Sequence, residues 1–152
     1  MKTAALGVLV GAALGWCPGR AAAALGEPAS SVSTDRRALS AVQQATTQHA
    51  AFRVEELTSH ANVVREYVSP SGVIFAVAWR GMTHPDLGAL LGSYASEYRN
   101  ATSGRARTPG RPSRRTATDH LVVETWGHMR DLQGRAYLPS LMPPGVTADD
   151  IR

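Results

Sequence analysis

The chain has 152 residues, enough for one domain with one core. Fifteen of its 16 basic residues are arginine, and alanine, glycine and proline are also abundant. A GC-rich coding sequence produces that bias by itself, so the net charge of +4 assigns no nucleic-acid partner. A single cysteine excludes a disulfide scaffold.

Residues 1–24 have the form of a secretory leader. Lys2 supplies the positive start, and the apolar stretch from Ala4 to Cys17 is too short for a stable membrane span. Pro18-Gly19-Arg20 breaks any helix there. Ala22-Ala23-Ala24 offers the small-x-small pattern of a signal-peptidase site, which places cleavage after Ala24 and the protein in the periplasm or outside the cell. Cys17 follows Trp16, whereas a lipoprotein box wants a small residue before its cysteine. The mature chain, residues 25–152, then has neither a cysteine nor a transmembrane segment.

Leu25–Ser31 reads as an extended lead-in. Ser33 or Thr34 is placed to cap a helix through Gln48, with a thin stripe of Leu39, Val42, Ala45 and His49. Phe52–Leu57 and Val63–Ser69 read as strands. Pro70-Ser71-Gly72 is a turn signal, because proline presets φ and glycine accepts a positive one. Val73–Trp79 follows as a strand apolar on both faces, with Val73, Phe75, Val77 and Trp79 on one side and Ile74, Ala76 and Ala78 on the other. Such a strand belongs in the middle of a sheet covered on both sides.

Thr83-His84-Pro85-Asp86 opens a helix over 86–98, with Thr83 as cap and Asp86 in a capping box. Leu87, Leu90, Leu91, Tyr94, Ala95 and Tyr98 form its apolar face. Arg99–Thr118 has six arginines, no acid and no apolar period, and reads as a flexible loop. The mature chain carries 14 basic and 12 acidic residues, and without that loop its balance is net acidic. His120–Trp126 reads as a strand. Met129–Leu132 and Arg135–Leu138 read as a hairpin around Gln133-Gly134. The tail from Pro139 is expected to run over the surface, anchored by Leu141, Met142 and Val146.

Several segments together resemble a known family. They are Ala24-Leu25-Gly26, Arg65-Glu66-Tyr67-Val68-Ser69-Pro70-x-Gly72, Phe75-x-Val77-x-Trp79 and Pro85-Asp86-Leu87-x-x-Leu90-Leu91-Gly92. Gly127-His128-Met129-Arg130, Gly134–Leu141 and Pro144-Gly145-Val146 complete the set. It is similar to a family of small secreted proteins of Gram-negative bacteria catalogued as domain of unknown function 2844. The resemblance implies an exported protein with no assigned activity, and it carries over no catalytic residue.

The five histidines lack the i, i+4 spacing of a zinc protease. A site of His120, Glu124 and His128 is conceivable, but exposed or hydrogen-bonded strand histidines explain the spacing as well. No Gly-x-Ser-x-Gly elbow and no phosphate loop occurs. The polar stretch Gly127-His128-Met129-Arg130 gives a candidate site of Glu124, His128 and Arg130. Its plainer reading is a bulge whose arginine pairs with Glu66 or Asp131. Arg99, Arg105, Arg107, Arg111, Arg114 and Arg115 form a candidate anion-binding loop for envelope lipid phosphate.

The expected fold is α+β, an antiparallel sheet of about five or six strands with one or two helices packed on it. The expected function is a non-enzymatic periplasmic binding protein that needs no cofactor or metal. Its partner is an anionic envelope lipid or an envelope protein. The alternatives are an enzyme with a polar site near His128 and an accessory subunit or chaperone of a surface assembly.

Overall fold

The computed structural model describes residues 25–31, 42–104 and 113–152. Seven strands form one antiparallel sheet: β1 (Val42–Gln48), β2 (Arg53–Thr58), β3 (Asn62–Val68), β4 (Ile74–Gly81), β5 (Arg114–Ala117), β6 (Val122–His128) and β7 (Asp131–Tyr137). Their order is β1-β2-β3-β4-β7-β6-β5. The apolar strand β4 stands at the centre, where its two-sided hydrophobicity puts it. A helical run, α1 (Leu87–Leu91), a 3-10 turn (Gly92–Tyr94) and α2 (Ala95–Thr102), covers one face. The C-terminal tail covers part of the other.

Seven strands replace the expected five or six through three local differences, two that add a strand and one that merges two. Residues 42–48 are a strand and not the end of a helix. Their Thr-rich sequence suits a pleated edge, and the ladder from Val42↔Thr58 to Gln48↔Arg53 outweighs a helical stripe too thin to bury. The proposed cap at Ser33 or Thr34 lies outside the described residues. Arg114–Ala117, expected within a loop, pairs with β6 and buries Thr116, and its outward arginines suit an edge strand. Residues 131–137 form one strand and not two arms around Gln133-Gly134. The turn is Met129-Arg130, with His128 opposite Asp131 and Arg130 at φ 68°.

Gly134 lies inside β7 for a packing reason. A Cβ there would sit 2.3 Å from the Trp79 ring, so the glycine makes room for the indole. Trp79 is 3% exposed and shares the helix-side core with Ile74, Val77, Val64, Leu90 and Leu91. Its Nε1 is buried without a hydrogen-bond partner among the described residues. Glu66, wholly buried, occupies the same face between Val64 and Val68, opposite Glu55 of β2.

The expected grouping of Phe75 with Val77 and Trp79 is overturned by a bulge. Tyr67 pairs with Ala76, but Val68 pairs with Ile74, leaving Phe75 as an extra residue. Side-chain parity flips there. Ile74 joins the helix side, and Phe75 joins Ala76 and Ala78 on the tail side.

The helix cap is Asp86, not Thr83. Its Oδ1 accepts from the Gly88 and Ala89 backbone N–H groups at 2.8 and 3.3 Å. Buried Pro85 precedes it, so the helix starts later than a Thr83 cap requires. Gly92, at φ 50°, interrupts the run before it resumes to Thr102, which brings Arg99 into α2. The apolar face lies as the spacing predicts: Leu90, Leu91 and Ala95 are buried, and Leu87, Tyr94 and Tyr98 are packed against them. The lead-in forms an isolated bridge, Pro28↔Val73, just ahead of β4 and then turns into a 3-10 segment (Ala29–Ser31).

The tail is anchored by Ile151, which is wholly buried, with Met142, Val146 and Ala148 packed beside it. Leu141, expected as an anchor, is an exposed part of a 3-10 turn. A second 3-10 turn (Ala148–Asp150) is closed by a capping box between Thr147 and Asp150 and aims Ile151 at the sheet.

Replacing Trp79 by alanine is expected to destabilise the fold by about 3–5 kcal/mol. Trp79→Phe should cost less, because it also deletes a buried, unbonded N–H. Denaturant unfolding checks both, and a loss near zero for alanine would contradict the core position.

Candidate functional site

The tail side of the sheet carries a continuous cross-strand row. Ala45, Glu56, Arg65, Ala78, Arg135, Glu124 and Arg115 lie opposite one another from β1 to β5. Each glutamate in it pairs with a neighbouring arginine: Arg65–Glu56 at 2.8 Å, Arg135–Glu124 at 2.6 Å and Arg115–Glu124 at 3.3 Å. Cross-strand opposition is the geometry in which such pairs form. Ala78 is the one small residue between two arginines.

Arg135 joins three parts of the molecule. Its Nε donates to Glu124, its Nη1 donates to the Ala148 and Ile151 carbonyls, and its guanidinium lies 5.6 Å from the Trp126 ring centroid. Arg65 and Tyr67 hold the end of the same tail. Arg65 Nη1 donates to the Arg152 carbonyl at 3.1 Å and the Tyr67 hydroxyl donates to it at 2.6 Å, while Arg152 N–H donates back to that hydroxyl at 2.8 Å.

Beside this row lies a cleft of about 280 Å³. Val63, Ala78 and Trp126 supply its apolar surface, and Arg65, Arg80, Arg152 and Gln133 its polar one. Trp79 and Gly134 also line it, and among the described residues no aspartate, glutamate, histidine, serine or cysteine faces it. A relay fixes the wall. Trp126 Nε1 donates to Gln133 Oε1, Gln133 Nε2 donates to Asp131 Oδ2, and Arg80 donates twice to Asp131 at 2.7 and 3.2 Å. The Arg80 hydrogen bond, with smaller help from Gln133, holds the Asp131 carboxyl below its ordinary pKa. Asp131 therefore stays ionised and keeps Arg80 in place.

Glu124, His128 and Arg130 are not brought together. Glu124 is half-buried between Arg135 and Arg115, while His128 is exposed four residues further along β6. Arg130 faces a separate open hollow with His60, Asn62 and Met82 at the end of the sheet. The expected pairing of Arg130 with Glu66 or Asp131 is not formed: Asp131 bonds Arg80, and Glu66 lies in the opposite face. His120 turns toward Glu97 of α2, with Nδ1 3.5 Å from its carboxylate. Among the described residues no three His, Cys, Asp or Glu side chains are grouped to hold a metal.

Of the arginine loop, Arg99 is exposed on α2, and Arg114 and Arg115 belong to β5. Arg105, Arg107 and Arg111 lie outside the described residues. Sequence reasoning missed Arg65, Arg80, Trp126, Gln133, Arg135 and Arg152 as a group. The alternation Asp131-x-Gln133-x-Arg135-x-Tyr137 was the available signal, and splitting that strand at Gly134 hid it.

A family model described as "Protein of unknown function (DUF2844)" matches residues 21–151. No curated protein matches the chain. Among solved structures, a cysteine-rich secretory protein from Staphylococcus aureus superposes with a TM-score of 0.45 at 8% identity. The match covers 77% of this chain and 45% of that one, so the chain spans less than half of that protein's length.

Burial raises the Tyr67 pKa above its ordinary value of 10.0, and the Arg152 carbonyl and neighbouring guanidinium groups draw it only partly back. A phenol whose pKa is higher folded than unfolded contributes stability that is complete below the unfolded value and lost as pH rises through the folded one. Stability should therefore fall as pH rises above about 10. Tyr67→Phe should flatten that part of the decline, measured by chemical unfolding across the alkaline range. An unchanged slope would mean the tail is not held by the phenol.

Proposed function

The chain belongs to the DUF2844 family, and we propose that it is an exported, non-catalytic binding protein whose ligand occupies the cleft beside Trp126. The observation that carries this reading is the composition of the lining. Among the described residues it combines apolar surface with arginine and amide donors and includes no nucleophile and no general acid or base. Arg65, Arg80 and Gln133 are held by ion pairs and hydrogen bonds before any ligand arrives, which lowers the ordering cost of binding.

Export rests on the leader-like residues 1–24. It gains support from Leu25, which is wholly buried and donates its N–H to the Leu90 carbonyl at 3.1 Å. Leu25 is the residue that follows the proposed cleavage point, and it is held in the core.

One preparation tests both parts. The protein is expressed with its own leader, recovered from the periplasm, weighed intact and mapped by amide and indole NMR against a small-molecule extract of the envelope. Expected are a mass beginning at Leu25 and shifts concentrated at Val63, Ala78, Gln133 and the Trp126 indole. A retained leader would remove the export reading. Shifts confined to His128 and Arg130 would move the site to the end of the sheet and revive catalysis there.

A further inference from the structure

The charges around the cleft name a ligand class, on the premise that the cleft is the binding site. All three ionisable side chains that line it are arginines. Each keeps donor capacity. Arg80 gives its Nε and one terminal nitrogen to Asp131, and Arg65 gives Nε to Glu56 and Nη1 to the Arg152 carbonyl. A guanidinium carries five N–H donors, so a terminal nitrogen on each is left over. The Arg152 guanidinium is exposed and forms no ion pair among the described residues.

Apart from Gln133, the rest of the lining is apolar. Ala78 contributes a floor without bulk, Val63 one wall and the Trp126 indole another. The indole is fixed in orientation by its bond to Gln133 and by Arg135 at its ring. At about 280 Å³ the space is near the lower end of small-molecule sites and suits a compact ring system better than a lipid chain.

We propose that the cleft binds a small organic oxyanion, a carboxylate or phosphate borne on a flat apolar body. The oxyanion lies between Arg80 and Arg152, and the ring lies against Val63, Ala78 and Trp126. Planar guanidinium donors match either oxyanion in a bidentate manner. Arg65 supplies a third donor from the tail side. A cationic ligand meets three like charges and, among the described residues, no acidic side chain, and a neutral ring leaves the exposed Arg152 charge unused.

The test uses four probes of one shape with the mature protein: 1-naphthoate, 1-naphthyl phosphate, 1-naphthamide and 1-naphthylmethylammonium. Binding is followed at the Trp126 indole N–H by NMR. Either anion should bind at least about tenfold more tightly than the amide, as expected for charge-assisted hydrogen bonds. The ammonium should not bind. The two anion arms decide between carboxylate and phosphate. Arg152→Ala should remove most of the advantage of the anions and leave the amide unchanged. Its melting temperature should stay close to the parent's, because that exposed side chain forms no hydrogen bond or ion pair among the described residues.

If the amide binds as tightly as the anions, or the ammonium binds best, with shifts at Trp126, the ligand class is wrong and the cleft stands. If no probe moves the Trp126 resonance, both the class and the cleft assignment fall.

Discussion

Arg135 ties the sheet, the tail and the Trp126 ring into one unit. Its side chain is 17% exposed, so its charge has left most of its water. Such a charge needs partners, and here Glu124 takes its Nε and two tail carbonyls take its Nη1. Removing the guanidinium would strand a half-buried Glu124, whose other partner, Arg115, lies at the exposed edge at 3.3 Å. The tail's path follows from the same bonds. Arg135 receives Ala148 and Ile151, Arg65 and Tyr67 receive Arg152, and Ile151 fills the space above Phe75 and Tyr137.

The bulge at Phe75 makes that arrangement possible. Without it the tail side of β4 would present a different set of residues, and Phe75 would lie under the helix. With it, the tail side divides into two zones. An apolar zone of Val54, Tyr67, Phe75, Ala76 and Tyr137 lies under the tail, and a charged row borders the open cleft. Phe52, Tyr67 and Phe75 meet with ring centroids 5.7 to 6.2 Å apart, which stiffens the covered half. The helix side carries the larger apolar core, and the cleft opens on the opposite face of the same sheet.

The sheet's centre and the apolar helix face were legible because Val73–Trp79 and Leu87–Tyr98 have strong periodicity. The Pro70-Ser71-Gly72 turn was legible from backbone chemistry, and Gly72 takes φ 83° there. Three features were not. β1 has weak propensity and exists through pairing with β2. Gly134 mimics a turn residue when its neighbour in space, Trp79, is unknown. The bulge leaves no mark on strand composition. The candidate site was illegible for the same reason: Arg65, Arg80 and Arg135 come from three strands and Arg152 from the tail. Their proximity is a property of register, and polar strand residues carry no separate label. Glu124, His128 and Arg130 drew attention because they are near in sequence, whereas an extended strand separates such residues by about 3.3 Å per position.

The most direct measurement is amide hydrogen exchange on the Arg135→Gln variant, compared with the parent. If Arg135 pins the tail, protection of the Asp150 and Ile151 amides, bonded within the tail to Thr147 and Ala148, should fall by roughly tenfold or more. The Trp126 indole should lose protection with them, while the β3–β4 amides keep theirs. Tail amides that stay as protected as in the parent would contradict a tail held by Arg135, and with it the linkage of tail, ring and cleft.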